Sequence, residues 1–412
     1  MKKKLFFCLF FLYTLAFAQL DREHWFAPMM DRVSSAFTNH YESIYMSTNE
    51  ITPFKVEIFN NNIVIATVTL SKNNPVKYSI PQRNTIITTS PGDLFIPVSM
   101  GFYLKGEKPF FASLRFSINN HGEIQTSKGT AGKGTEFRAV MAPISVNNSI
   151  LNFMNSIMAT EDNTKVTITD FQPTVKFADN IARTQIVFTL NRGQSYIIEG
   201  QGNSPQNHTG YIGAKIVADK PILIANGNFN GQYAGNFGNA SDILMDQGVP
   251  TDKLGQEFVL MKGNGANSFN SGSTTMEKAI IVAVENNTQI YLNGSSSPIA
   301  TINAGQFFET PPNSYINQGS EHFNMLINTS KNVYVYQLLA GVESTSSSSN
   351  LNGEATGGFN YIPPLNCYLP QKIDEIGNIE ENEHNLGAGS ILTVPTKLNI
   401  ITERGATVDV KR

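Results

Sequence analysis

The sequence predicts an all-β protein made of three antiparallel repeats of about 110–120 residues and a truncated fourth repeat. A ten-residue phrase occurs twice, at residues 159–168 and 283–292. In each copy an Asp/Asn-Asn-Thr turn separates apolar runs that alternate with a period of two, which predicts a β-hairpin. Asn and Asp suit such a turn because they tolerate left-handed backbone angles. Only 15% of the residues are charged and no stretch reads as an amphipathic helix, which is typical of an extracellular β protein.

Two further signals follow each copy of the phrase. A strand start at Gly-Gln recurs after 112 residues, at Gln194 and Gln306. A predicted hairpin centred on a lysine recurs after 111 residues, at Lys220 and Lys331. The phrase itself recurs after 124 residues, so the second repeat should carry an extra loop of 12 residues, around residues 170–182.

The repeats divide the chain into five segments. They are a signal peptide at 1–18, repeat one at 19–133, repeat two at 134–254, repeat three at 255–350, and a connector with the truncated fourth repeat at 351–412. Each repeat reads as about seven strands. Two four-stranded blades per repeat would form a β-propeller, whereas one sandwich per repeat would form a row of tandem β-sandwiches. The repeats follow one another without Pro-rich linkers, which favours the propeller.

The first 18 residues have the pattern of a secretory signal. Lysines occupy positions 2–4, an apolar stretch covers 5–16, and small residues at Ala16 and Ala18 form a cleavage site. The mature chain is therefore expected to begin at Gln19 and to be secreted or displayed on the outer cell surface. It would retain one cysteine, Cys367, so an intramolecular disulfide is excluded.

Charge and hydropathy limit the partners of the mature chain. The formal net charge is −3, and loss of the three signal lysines makes it −6, which argues against nucleic acid or an anionic membrane as partner. No later stretch is long and apolar enough to be a transmembrane segment.

Motifs of catalysis are missing from the sequence. It contains no His-Glu-x-x-His, Gly-x-Ser-x-Gly or Cys-x-x-Cys pattern, and its six histidines are scattered. Asp242 and Asp246 could contribute to a calcium site, but they lack the Asp-x-Asp-x-Asp-Gly loop that such sites use. We therefore predict no catalytic residue, no metal ligand and no cofactor, although a glycosidase site assembled from distant carboxylates is an open alternative.

The strongest candidate for ligand contact is the Gly- and Asn-rich stretch at 225–239. Its rings, Phe229, Tyr233 and Phe237, could stack on a ligand while the amides donate hydrogen bonds. The alternative interpretation is a long loop with these aromatic side chains tucked beneath it.

Five short motifs carry a resemblance to a known family. They are Gly134–Phe137, Ala159–Thr164, Leu190–Tyr196, Ala218–Pro221 and Asp246–Pro250. Together they resemble the IgG-Fc-binding-protein N-terminal domain family, and most of all its members in secreted surface proteins of gliding bacteria of the Bacteroidetes type. The likeness extends over nearly the whole mature chain, from about residue 23 to 410. It implies a surface protein of the gliding-motility-associated class, and it supplies no catalytic residues.

These observations predict a non-enzymatic adhesion or recognition module at the cell surface. Its partner would be an extracellular glycan or protein, and the chain would be part of a larger surface protein or complex. Two alternatives stay open, namely a carbohydrate-active hydrolase on a β-propeller and a purely structural stalk. An acidic pair in a central pocket would indicate the hydrolase, whereas the lack of a concave aromatic surface would indicate the stalk.

Overall fold

A computed structural model describes most of the three repeats. The described residues are 20–32, 40–118, 121–233, 241–262, 277–311, 313–319, 322–339 and 357–365, with shorter pieces at 383–387, 390–393, 400–402, 405 and 407–408. The all-β prediction is confirmed, since these residues contain strands and short 3-10 turns but no α-helix. The predicted signal peptide, Phe237 and Cys367 lie outside the described residues.

The strands have the following bounds. The first set is β1 Asp21–Phe26, β2 Met29–Met30, β3 His40–Ser47, β4 Phe54–Asn60, β5 Ile63–Leu70, β6 Val76–Ser79, β7 Ile87–Thr88, β8 Pro97–Val98, β9 Phe102–Ile118 and β10 His121–Thr126. The second set is β11 Gly134–Arg138, β12 Asn152–Ala159, β13 Thr164–Thr169, β14 Ile186–Leu190, β15 Ser195–Gln201, β16 Lys215–Gly231 and β17 Asp242–Gln247. The third set is β18 Gly255–Met261, β19 Glu277–Ala283, β20 Thr288–Leu292, β21 Ala300–Ile302, β22 Phe307–Glu309, β23 Ile316–Gly319, β24 His322–Leu339 and β25 Gly358–Tyr361. A final hairpin joins β26 Glu383–Gly387 to β27 Ser390–Thr393.

One long strand organises each of the three sets. These strands are β9, β16 and β24, with 17, 17 and 18 residues. In the second set the first half of β16 pairs with β11 and β13, and its second half pairs with β12 and β17. The corresponding strands pair in the same way around β9 and β24. The result is three curled, nearly closed sheets of seven, eight and eight strands.

The opening strand of each set skips the same part of its long strand. On β11, Gly134 and Glu136 are two positions apart. Their partners on β16, Ile222 and Val217, are five positions apart. The same jump separates the partners of β1 on β9 and the partners of β18 on β24. The skipped residues are 106–109, 218–221 and 329–332, and each range contains the repeated lysine position. The repeat inferred from the sequence is therefore present in the pairing register.

Two local predictions about this region are wrong. The lysine-centred segments are not hairpins, because β16 and β24 run straight through Lys220 and Lys331 as single strands. The ten-residue phrase is not a hairpin either, because β12 and β13 pair with opposite ends of β16 and not with each other. Alternating apolar runs look the same whether they pair with each other or with one shared strand, so the sequence pattern could not separate the two arrangements.

The repeats pack closely on one another through sheets that are buried on both faces. In the second repeat Ile157 and Ile224 lie in that repeat's own core, whereas their neighbours Met158 and Leu223 lie in the core of the first repeat. In the third repeat the side chains of Val282, Tyr334 and Tyr336 likewise pack into the core of the second. This burial explains why apolar residues stand at consecutive positions of these strands, as at Ile157–Met158 and Leu223–Ile224, instead of only at every second one. One short strand, β8, also crosses over from the first repeat and pairs with β15 of the second.

The extra loop predicted around residues 170–182 is confirmed, since residues 170–185 lie between β13 and β14 and form no strand. The loop also contributes to the core. Phe171 and Phe177 are buried, with ring centroids 5.9 and 6.2 Å from that of the buried Tyr211. At the end of the chain, residues 394–412 of the expected fourth repeat are described only at 400–402, 405 and 407–408, and none of these described residues lies in a strand.

Candidate functional site

The repeated phrase and the repeated lysine meet at one corner of each repeat. Lys220 Nζ donates a hydrogen bond to the carbonyl oxygen of Asp162, and Lys331 Nζ donates to that of Asn286 at 2.8 Å. The predicted left-handed turn is confirmed, because φ is +53° at Asn163 and +57° at Asn287. These phrases therefore carry the chain around a corner, from one half of the long strand to the other.

The Gly-Gln segment completes this corner and also touches the preceding repeat. Asn191 Oδ1 accepts the backbone N–H of Asn163 at 3.1 Å, which ties the segment to the phrase. Gly193 has φ +79°, and a Cβ there would lie 3.1 Å from the backbone nitrogen of Asn62 in the first repeat. Gly305, with φ +81°, makes the equivalent approach to the second repeat beside Arg138. A glycine is needed at this turn for its backbone angle and for the close contact.

Beside the contact between the first two repeats lies a cleft of about 340 Å³. Its walls are formed by residues of the first repeat and by one residue of the second. They are Phe59, Asn62, Tyr103, Lys105 and Arg192. The second repeat therefore contributes one residue, Arg192, to a cleft that the first repeat mainly forms.

Two residues that line the cleft, Phe59 and Tyr103, form its floor and belong to a row of apolar side chains across four strands. In register, Trp25 lies opposite Tyr103, Tyr103 opposite Phe59, and Phe59 opposite Val64. The ring centroids of Trp25 and Phe59 are each 5.2 Å from that of Tyr103. Side chains directly opposite on neighbouring strands point to the same face, so the strand pairing creates this row. Val64 is 45% exposed at its open end.

A second row, of charged residues, lies next to the aromatic one. Lys105 is opposite Glu23 on one side and Glu57 on the other. The Tyr103 hydroxyl donates a hydrogen bond to Glu23 Oε1 at 2.6 Å. Burial, together with this carboxylate, raises the pKa of Tyr103, so the phenol stays protonated as a donor. Lys133 Nζ lies 3.7 Å from Glu23 Oε2, so the same carboxylate also forms an ion pair.

Arg192 covers the cleft from the second repeat. Its backbone N–H donates to Asp162 Oδ1 at 3.0 Å, and its carbonyl oxygen accepts the Asn62 side-chain amide at 2.7 Å. Its guanidinium carbon lies 5.5 Å from the centroid of the Tyr103 ring, a cation–π distance. Arg192 and Lys105 are both exposed, and neither forms an ion pair with a carboxylate of the described residues.

The three rings predicted for ligand contact do not lie together. Phe229 lies in β16, is 3% exposed and stacks on Phe116 with centroids 6.1 Å apart, so its predicted place in a surface loop is wrong. Tyr233 is half-buried and donates to Glu309 Oε2 at 3.0 Å, across the contact between the second and third repeats. Phe237 lies outside the described residues. A role for these rings in ligand contact stays a prediction.

The asparagines of residues 225–239 explain why the sequence pattern predicted a loop there. Asn226 Oδ1 and Asn228 Oδ1 accept the backbone N–H groups of Val140 and Ala142, each at 2.9 Å. Asn228 also donates to the carbonyl oxygens of Ala142 and Asn152, at 3.1 and 2.9 Å. Buried amide side chains thus satisfy neighbouring backbone groups, a use that composition alone does not distinguish from a polar loop.

The two aspartates considered for calcium connect the three repeats. Asp242 receives hydrogen bonds from His121 Nδ1 at 3.1 Å and from the Gly357 backbone at 2.7 Å. Asp246 forms an ion pair with Lys128 of the first repeat, in which Asp246 Oδ1 lies 2.7 Å from Lys128 Nζ. The hydrogen bond that His121 donates to Asp242 raises the pKa of His121, against the opposing effect of burial. Protein donors thus occupy the carboxylates, and no group of three potential metal ligands occurs among the described residues.

This architecture defines a class of protein, the tandem-repeat β protein whose repeats enclose a cleft where they meet. The chain belongs to the IgGFc binding protein family, whose model matches residues 126–409 of the 412. The match begins near the end of the first repeat, so it is narrower than the likeness expected from residue 23. Searches of curated proteins and of solved structures found no match. No helix in the described ranges is long and apolar enough to cross a membrane.

Proposed function

We propose that this chain is a secreted or cell-surface recognition module that binds an extracellular glycan or protein without catalysing a reaction. Membership of the IgGFc binding protein family supports a secreted or surface binding role. The observation that carries the proposal is the cleft between the first two repeats. It combines an aromatic floor with two exposed cations that have no carboxylate partner among the described residues.

The chemistry of this cleft favours binding over hydrolysis. A glycosidase needs two carboxyl groups that face each other across the scissile bond, about 5–10 Å apart. Two acids share the sheet face of the cleft floor, Glu23 and Glu57, and they lie on either side of Lys105 in one row. Glu23 already accepts the Tyr103 hydroxyl, so it is held as a structural acceptor.

The same cleft favours a binding module over a purely structural stalk. A stalk needs only the contacts between repeats, whereas Lys105 and the Arg192 side chain are exposed and have no carboxylate partner among the described residues. Export through cleavage after Ala18, display on a Bacteroidetes-type cell surface and assembly into a larger surface protein are further parts of the proposal.

The test is a binding screen with residues 19–412. The purified protein would be applied to a glycan array and to a panel of extracellular proteins, with immobilised IgG Fc included because of the family name. We expect saturable binding to at least one glycan or protein and no release of product from the bound glycan. Folded protein that binds nothing in either screen, or that cleaves its glycan, would overturn the proposal.

A further inference from the structure

We infer that the cleft lined by Phe59, Asn62, Tyr103, Lys105 and Arg192 binds an acidic sugar, one carboxylated or sulfated residue of an extracellular polysaccharide. This inference rests on the proposed binding function and names the ligand class of the site. Two properties of the cleft carry it, its exposed pair of cations and its apolar floor.

The cations are placed to receive an anion. The backbone of Arg192 is held from both sides, by Asp162 Oδ1 at 3.0 Å and by the Asn62 amide at 2.7 Å. Its guanidinium rests over the Tyr103 ring, with 5.5 Å between the guanidinium carbon and the ring centroid. An arginine that is already oriented loses little side-chain entropy when it binds a carboxylate or a sulfate, and its planar group can bind two of their oxygens at once. Lys105, which also lines the cleft, supplies a second positive charge.

The acids near the cleft are not paired with these two cations. Glu23 is shared between the Tyr103 hydroxyl at 2.6 Å and Lys133 Nζ at 3.7 Å, which leaves Glu57 as the one other acid in its row. Asp162 also lies near the cleft, where it accepts the Arg192 backbone N–H at 3.0 Å. None of these acids forms an ion pair with Arg192 or Lys105 among the described residues, in a chain whose formal net charge is −3. The overall negative charge should weaken non-specific attraction of polyanions, so that an acidic ligand would be held at the cleft.

The floor favours a sugar ring over an acidic peptide. Phe59 and Val64 extend the aromatic row towards solvent and offer a flat apolar surface. A sugar ring has an apolar C–H face that can cover such a surface while its acid group reaches Arg192. The side chain of Asp or Glu offers only one or two methylene groups. The volume of about 340 Å³ is at the small end of ligand sites, which fits one sugar residue of a longer chain.

The neutral double variant Arg192→Gln with Lys105→Gln tests the inference. Both residues are exposed, and the described structure gives them no ion pair to lose, so the variant should fold. The matched control is Arg22→Gln with Lys72→Gln, which makes the same charge change at two other exposed positions of the first repeat. Thermal melting of both variants would confirm that each is folded.

Binding would be measured by titration calorimetry with a uronic-acid oligosaccharide, a sulfated oligosaccharide, the carboxyl-reduced neutral form of the first, and poly-glutamate. We expect the wild-type protein and the control variant to bind at least one acidic oligosaccharide equally well. We expect about a tenfold or greater loss in the double variant, loss of binding to the neutral form, and weaker binding as salt rises.

Several results would overturn the inference. They are equal binding by the double variant, equal binding of the neutral oligosaccharide, tighter binding of poly-glutamate than of the sugars, or no binding of either acidic oligosaccharide. If the protein still bound a neutral glycan or a protein in the binding screen, the proposed recognition function would be retained and only the assignment of the cleft to an acidic sugar would be wrong.

Discussion

Replacing Asp246 by alanine would test whether the second repeat holds its two neighbours through this one carboxylate. Asp246 Oδ1 lies 2.7 Å from Lys128 Nζ of the first repeat. Its other oxygen, Oδ2, accepts the backbone N–H of Tyr361, in the third repeat's sheet, at 2.8 Å. The substitution therefore removes a link to both neighbours at once.

The burial of these groups sets the size of the expected effect. Asp246 is 8% exposed and Lys128 is 9% exposed, so the alanine variant leaves a nearly buried ammonium group without its partner. Breaking a buried pair in this way costs about 3–5 kcal/mol. The unpaired N–H of Tyr361 adds about 1–3 kcal/mol, although part of this overlaps with the first cost because the two groups share one carboxylate. We expect the free energy of unfolding to fall by about 4 kcal/mol, as the middle of these ranges.

Urea denaturation followed by circular dichroism would measure the loss, with Asp252→Ala as the matched control. The Asp252 side chain is 68% exposed and pairs with Lys253 at 3.0 Å on the surface, so its loss should cost less than about 1 kcal/mol. The variant Asp246→Asn keeps an acceptor for the Tyr361 N–H and should fall between the two. Added calcium should leave the wild-type melting temperature unchanged.

Two results would refute this reasoning. If Asp246→Ala and Asp252→Ala were equally stable, the ion pair with Lys128 would contribute nothing to the packing of the repeats. If calcium raised the melting temperature of the wild type but not of Asp246→Ala, the carboxylate would be a metal ligand after all.

Three further predictions concern the core, the corner and the junction. Phe229→Ala should lower the free energy of unfolding by about 3–5 kcal/mol because it leaves a cavity where a buried ring was. An unchanged melting temperature would show that this ring lies in a surface loop. Lys220→Met removes the hydrogen bond to the Asp162 carbonyl oxygen and should lower the free energy of unfolding, measured by urea denaturation, by about 1 kcal/mol. An unchanged free energy of unfolding would show that this hydrogen bond does not stabilise the corner. His121 has its pKa raised by Asp242, so its stabilisation should be complete below about pH 6.5 and lost as pH rises through the folded-state pKa. Stability measured from about pH 6 to 8 should therefore fall more in the wild type than in His121→Gln, and parallel profiles would contradict the assignment.

The candidate cleft was missed by sequence reasoning, although each part of it left a signal. Trp25, Phe59 and Tyr103 lie at alternating positions of apolar runs that predict strands. They become one surface only because β1 and β4 both pair with β9, and an alternating pattern does not name its partner strand. Arg192 lies within a motif that carries the family resemblance, but it reaches the cleft only because the second repeat docks on the first.

The sequence by itself determined what depends on neighbouring residues. The all-β class, the repeats, the left-handed turns at Asn163 and Asn287 and the extra loop after β13 were all predictable, because turn preferences and side-chain alternation act over a few positions. Tertiary structure alone decided which strands share β16, whether Phe229 is buried, and where the cleft forms. These features depend on burial between segments that are far apart in the chain, and burial is settled by the packing of whole repeats against one another.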